Sequence, residues 1–145
     1  KLDFKKLHPS GSLGAQLKTV EDIMLVGKKI PFISNKTKMK RAINLLTEKK
    51  LGILIVRNAQ NKTVGIITDG QIRRYSEKYS NLHFKKTEEI MTKKPVSVEK
   101  NILAAKALSI MNNKQITSLC VHEKKNKYKT VGVLHIHNIL KSNIS

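Results

Sequence analysis

The chain has 145 residues, with 29 Lys and Arg against 10 Asp and Glu and a formal net charge of +19; this length holds one domain or two very small ones. No apolar run approaches the roughly 18 residues of a membrane-spanning helix, and no apolar leader with a cleavage site is visible. A single cysteine, Cys120, excludes an intrachain disulfide and a cysteine-built zinc site, so a reducing cytoplasm and no membrane partner are expected.

Taken in chain order, the segments repeat. After a polar head, Asp22-Ile23-Met24 marks a short turn or helix. Residues 30–33 read as an extended piece, because Pro31 suits a strand edge or start. Residues 38–49 read as a helix: Met39, Ala42, Ile43 and Leu46 follow the i, i+3, i+4, i+7 spacing of one apolar face. Two strands follow, at 52–56 and 63–67, around a polar tip of Asn58-Ala59-Gln60-Asn61-Lys62. A second helix, expected to be capped by Asp69, runs to about residue 78 with Ile72, Tyr75 and Tyr79 on one face. Residues 81–86 are a polar connector.

The second copy then runs through the same order. Glu89-Ile90-Met91 opens it, followed by an extended piece at 96–98 and a helix at 103–113. Its face of Ala104, Ala107, Leu108 and Met111 has the spacing of the first quartet. Strands at 117–121 and 130–134 flank a turn expected over 123–129, and a last helix at 136–142 turns Ile136, Ile139 and Leu140 inward. Val64-Gly65-Ile66-Ile67 and Val131-Gly132-Val133-Leu134 match at the same offset as the two openings.

Each copy is a β-α-β-β-α unit of about 60 residues, marginal for an independent core. Two copies that bury their sheets against one another remove the difficulty. The expected fold is therefore α+β, two β-α-β-β-α repeats packed with pseudo-two-fold symmetry around a cleft. The expected division is a head at 1–17, a first repeat at 18–83 and a second at 84–145.

These repeats, with their Asp-Ile-Met and Glu-Ile-Met-Thr openings and the closing turn Ile67-Thr68-Asp69-Gly70, resemble a tandem pair of cystathionine-β-synthase (CBS) domains over about 20–142. The head is more specific. Phe4-Lys5-Lys6-Leu7-His8-Pro9-Ser10-Gly11-Ser12-Leu13-Gly14 resembles the segment that joins a sugar-isomerase domain to its CBS pair in arabinose 5-phosphate isomerases, with Ser10 where the family carries glycine. Lys50-Leu51-Gly52, the run from Thr68 to Arg74, and Ile116-Thr117-Ser118 are similar to the same family. The resemblance implies a parent enzyme that interconverts ribulose 5-phosphate and arabinose 5-phosphate for Kdo and lipopolysaccharide synthesis. It also implies an upstream sugar-isomerase domain, a homo-oligomer formed through the CBS modules, and no cofactor. This chain then reads as a C-terminal regulatory and assembly fragment without activity of its own. An alternative gives His8 a catalytic place in the active site of the full protein.

The resemblance also directs attention to the strand-to-helix turns. CBS pairs that bind adenine nucleotides carry Gly-h-h-Thr/Ser-x-x-Asp/Asn there, with the hydroxyl on phosphate and the carboxylate on ribose. The first turn keeps Thr68 but has Gln71 at the ribose position; the second keeps Asn138 but has His135 at the hydroxyl position. Thr68, Asp69, Arg73, Arg74, His135, His137 and Asn138 form a candidate site for an anionic nucleotide or sugar nucleotide, with helix capping as the alternative for Thr68 and Asp69. His135 and His137 could share a strand face, but no third ligand stands near them in sequence, and no metal is expected. Cys120 and the matched Met24 and Met91 read as core filler.

A basic nucleic-acid-binding domain is a further reading of the charge. Arginine supplies the fork used for base edges, and only Arg41, Arg57, Arg73 and Arg74 are present. Aromatic residues make up 4% and the lysines are spread through every segment, so nucleic acid is not the expected partner.

Overall fold

The computed structural model describes residues 17–142. The chain forms α1 (Val20–Ile23), a 3-10 turn (Gly27–Lys29), β1 (Phe32–Ser34), α2 (Met39–Lys49), β2 (Ile53–Arg57), β3 (Thr63–Thr68) and α3 (Asp69–Lys78). The second copy repeats the order: a 3-10 turn (Leu82–Phe84), α4 (Thr87–Ile90), β4 (Ser97–Glu99), α5 (Ala104–Lys114), β5 (Ser118–Glu123), β6 (Asn126–His135) and α6 (Ile136–Lys141). Each repeat builds one three-stranded sheet, ordered β1-β2-β3 and β4-β5-β6, with the first pair parallel and the second antiparallel.

The helix faces are those set by the spacing. Met39, Ala42 and Leu46 are buried on α2, and Ala104, Ala107 and Met111 on α5, with Ile43 and Leu108 packed beside them. Each helix covers the outer face of its own sheet, Leu54, Val56 and Ile67 in one repeat and Leu119, Val121 and Leu134 in the other. The inner faces meet through Ile30, Ile53, Ile55, Cys120 and Val133, joined by the partly buried Phe32, Leu51 and Ile66.

The opening helices are exchanged. Val20 of α1 is fully buried in the core of the second repeat, beside Val98, Leu119 and Val121. Ile90 of α4 is buried in the core of the first, beside Met39 and Leu54. Backbone hydrogen bonds fix both crossings: Val20 N–H donates to Ile102 O at 2.9 Å, and Thr87 N–H donates to Thr37 O at 2.7 Å. Leu25 then pairs with Val133 on the free edge of β6, and Thr92 pairs with Ile66 on the free edge of β3. Both edges are thereby closed to strand addition at that point. Lys36–Glu88 at 3.1 Å and Lys100–Glu21 at 3.6 Å add an ion pair to each crossing.

Three local expectations are corrected. The cap of α3 is Thr68, not Asp69: Thr68 Oγ1 accepts from Gln71 N–H at 3.3 Å, and Gln71 Oε1 accepts from Thr68 N–H at 2.9 Å. Thr and Asp both cap helices; the reciprocal bond from Gln71 selects the residue three positions before it. Residues 123–129 are not an open turn. β5 continues to Glu123, Lys125 adopts the left-handed conformation at φ 62°, and β6 starts at Asn126 with a bulge that absorbs the extra residues. Leu140 is 58% exposed, and Ile139 alone of the last apolar pair is buried.

Candidate ligand-binding cleft

The strand-to-helix turns lie at comparable places in the two repeats. At the second, His135 stands where Thr68 stands in the first, and its Nδ1 accepts from His137 N–H at 3.1 Å. Asn138 Oδ1 accepts from His135 N–H at 2.9 Å. Burial holds the His135 imidazole below its ordinary pKa, and the adjacent His137 ring pushes the same way; the neutral ring is the form whose Nδ1 can accept. Gln71 is 3% exposed and its Nε2 donates to Ile90 O and to Thr92 Oγ1, so it ties α3 to the exchanged opening. Both positions that would hold a ribose in the family pattern are thus engaged in helix capping.

The structure brings segments of the two turns together without joining their side chains. Asp69 N–H donates to Gly52 O, Ile136 N–H donates to Thr117 O, and Ser118 Oγ donates to Leu51 O across the repeat boundary. Among the described residues no hydrogen bond links Thr68 or Asp69 to His135, His137 or Asn138. Asp69, Arg73, Arg74 and His137 are exposed. His8 lies outside the described residues. No cluster of three or more metal-ligating side chains occurs among the described residues.

A cleft of about 920 Å³ opens elsewhere, on the inner face of the second sheet toward the hairpin tip, and none of those seven turn residues lines it. β4 and β5 pair Ser97 with Cys120 and Glu99 with His122. Strand alternation sends these four side chains to the face opposite Val98, Leu119 and Val121, which fill the outer core. Thr63 and Val64 of the first repeat, and Met91 of the exchanged opening packed against it, complete the wall.

The floor is neutral and the rim is basic. Burial pushes the Cys120 thiol up to about 12, so it is an uncharged apolar surface. His122 is 4% exposed; Ser97 Oγ meets its Nδ1 at 2.9 Å. Burial lowers its pKa first, opposed by the Glu99 carboxylate and aided by Lys127. Lys93, Lys94, Lys125 and Lys127 stand around the opening, against one carboxylate, Glu99, whose Oε2 already accepts from Lys125 N–H at 2.9 Å. Such a space can take a flat or apolar moiety on its floor and a phosphate or carboxylate at its rim. Apart from Cys120 and Met91, which the sequence marks as core filler, and Val64 of the repeated Val-Gly run, these lining residues belong to no motif. The available signal was the alternation of polar positions, Ser97 and Glu99 on one strand and Cys120 and His122 on another.

Comparison with known proteins also finds two copies of one unit. A CBS domain family model matches residues 20–78 and again 88–144. Arabinose 5-phosphate isomerase KdsD of Yersinia pestis is 34% identical over 143 residues, covering 98% of this chain and 43% of that protein. An uncharacterized protein of Rickettsia prowazekii is also 34% identical over 143 residues, covering 99% of this chain and 43% of its own length. The chain therefore spans less than half of these curated relatives. Among solved structures, CBSX2 in complex with AMP superposes with a TM-score of 0.74 at 22% identity, over 87% of this chain and 96% of that one.

Proposed function

The chain belongs to the CBS domain family, of which it carries two copies, and from that membership we propose that it is the regulatory pair of an arabinose 5-phosphate isomerase-like protein, binding an anionic sugar or nucleotide in the cleft on its second sheet. The observation that carries the ligand reading is the cleft itself: about 920 Å³, with Cys120 on its floor and four lysines at its rim. The parent reading is supported by identity that runs through nearly all of this chain yet less than half of the named isomerase. The sugar-isomerase domain and the aldose–ketose chemistry belong, on this reading, to the part of the parent outside the match. That chemistry needs a base beside a carbonyl, and the cleft described here offers a binding surface.

Lysine suits the proposed ligand. Its ammonium is a compact, hydrated point charge on a flexible stem, adequate for phosphate without the bidentate geometry of arginine. The walls come from both repeats, so an occupant strengthens their contact and stabilises the folded pair by RT ln(1 + [L]/Kd), about 2.7 kcal/mol at 100 Kd. A nucleotide-linked end product such as CMP-Kdo would give feedback on the parent pathway.

A thermal-shift series tests the reading. AMP, ATP, CMP-Kdo and arabinose 5-phosphate are compared with neutral arabinose at millimolar concentration. At least one anion is expected to raise the midpoint while arabinose does not, and the shift should disappear in Lys93→Ala/Lys94→Ala. If all four anions leave the midpoint unmoved, the ligand reading fails.

A further inference from the structure

The pseudo-symmetry of the two sheets creates a second position equivalent to the cleft, and the two are filled differently. Strand register gives the correspondence: Phe32 pairs with Ile55 as Ser97 pairs with Cys120, and Ser34 pairs with Arg57 as Glu99 pairs with His122. Much else is shared. Lys28-Lys29 precedes β1 as Lys93-Lys94 precedes β4, and Thr63 and Thr130 occupy matched places and meet through their hydroxyls. All four matched inner-face positions differ, and the large changes in bulk are Phe32 against Ser97 and Arg57 against His122. Ser97 and His122 leave open space above the second sheet. Above the first, the Arg57 guanidinium lies over the Phe32 ring, 3.6 Å from its centroid, and Phe32 packs into the cluster between the sheets. A cation on an aromatic face is an attractive contact in its own right, so the plug is held in place by more than bulk.

We infer that the pair takes one ligand and not two, because Phe32 and Arg57 occupy the first-sheet position with the chain's own aromatic ring and cation. This rests on the cleft of the second sheet being the ligand site. The fold is symmetric enough to form two sites, and two side chains reduce it to one. They also place a cation on a flat ring, the same kind of group that the open cleft would receive from outside.

Binding stoichiometry decides the matter, measured by calorimetry and equilibrium dialysis with CMP-Kdo and with AMP as probes. The unmodified chain is expected to bind one equivalent. Phe32→Ser/Arg57→His, which copies the second sheet onto the first, should bind two. Ser97→Phe, which copies the plug into the open cleft, should weaken binding at least tenfold; a melting curve for each variant checks that it is folded. Two equivalents on the unmodified chain, or an unchanged single equivalent in a folded Phe32→Ser/Arg57→His, would overturn the inference and leave the ligand site standing. Failure of both probes, and of ATP and arabinose 5-phosphate, to bind the unmodified chain overturns the ligand reading and this inference with it.

Discussion

Two glycines show how narrow the margins are at single positions. A methyl group on Gly65 would sit 2.7 Å from Met91 Sδ and 2.7 Å from the carbonyl oxygen of Thr92. On Gly132 it would meet Met24 Sδ in the same way, but the nearest backbone atom, Leu25 O, is 3.0 Å away. A thioether can swing aside; a carbonyl bonded into an edge pairing cannot. Gly65→Ala is therefore expected to cost about 1–3 kcal/mol as an overpacked site, and Gly132→Ala less, as measured by urea unfolding of the two variants side by side. Equal costs would mean that the methionines, not the exchanged backbone, set the limit.

Protonation acts at the same scale. Burial lowers the pKa values of His122 and His135 from the ordinary 6.5. A group with a depressed folded pKa stabilises the fold fully above its unfolded value, and that stability is lost as pH falls through the folded value. Melting temperature should accordingly be flat above pH 6.5 and decline as the solution is acidified below it. His122 is the more buried of the two, and its Nδ1 is engaged by Ser97. His122→Gln is expected to flatten the larger part of that decline; a slope unchanged in this variant would sink the assignment.

At the scale of elements, the helix faces were legible because four apolar residues at helical spacing leave no other face to bury. Leu46 and Met111 close those faces and are 4% and 0% exposed. Truncation of either to Ala is expected to cost about 2–5 kcal/mol, read from the shift of the unfolding midpoint. Caps and turns were less legible, since Thr68 and Asp69 are chemically equal candidates and only the reciprocal bond of Gln71 separates them. The lysine-rich tip of the second hairpin reads as solvent-exposed turn in composition. The left-handed Lys125 nevertheless lets Glu123 and Asn126 pair across it. The cleft was legible only as an alternation of polar positions on two strands, because its walls come from four separated stretches, around 63, 91–99, 120–122 and 125–130. Nothing local marks Ser97 as the residue whose small size leaves the space.

The exchange of opening helices governs the whole molecule. Val20 sits on the outer face of the second sheet, packed with Val98, Leu119 and Val121, while the cleft occupies the inner face of the same strands through Ser97, Cys120 and His122. The chain segment that leads into the pair is thus anchored one sheet's thickness from the cleft floor, on the repeat that is distant in sequence. In mechanical terms, the second sheet is a diaphragm with the cleft on one side and the incoming chain fastened to the other. A pull on the backbone ahead of Lys18 loads the second repeat first, through the bonds between Val20 and Ile102 and between Lys18 and Ala104 at the start of α5. Tension reaches the first repeat only after those bonds and the Leu25–Val133 pairing have given way.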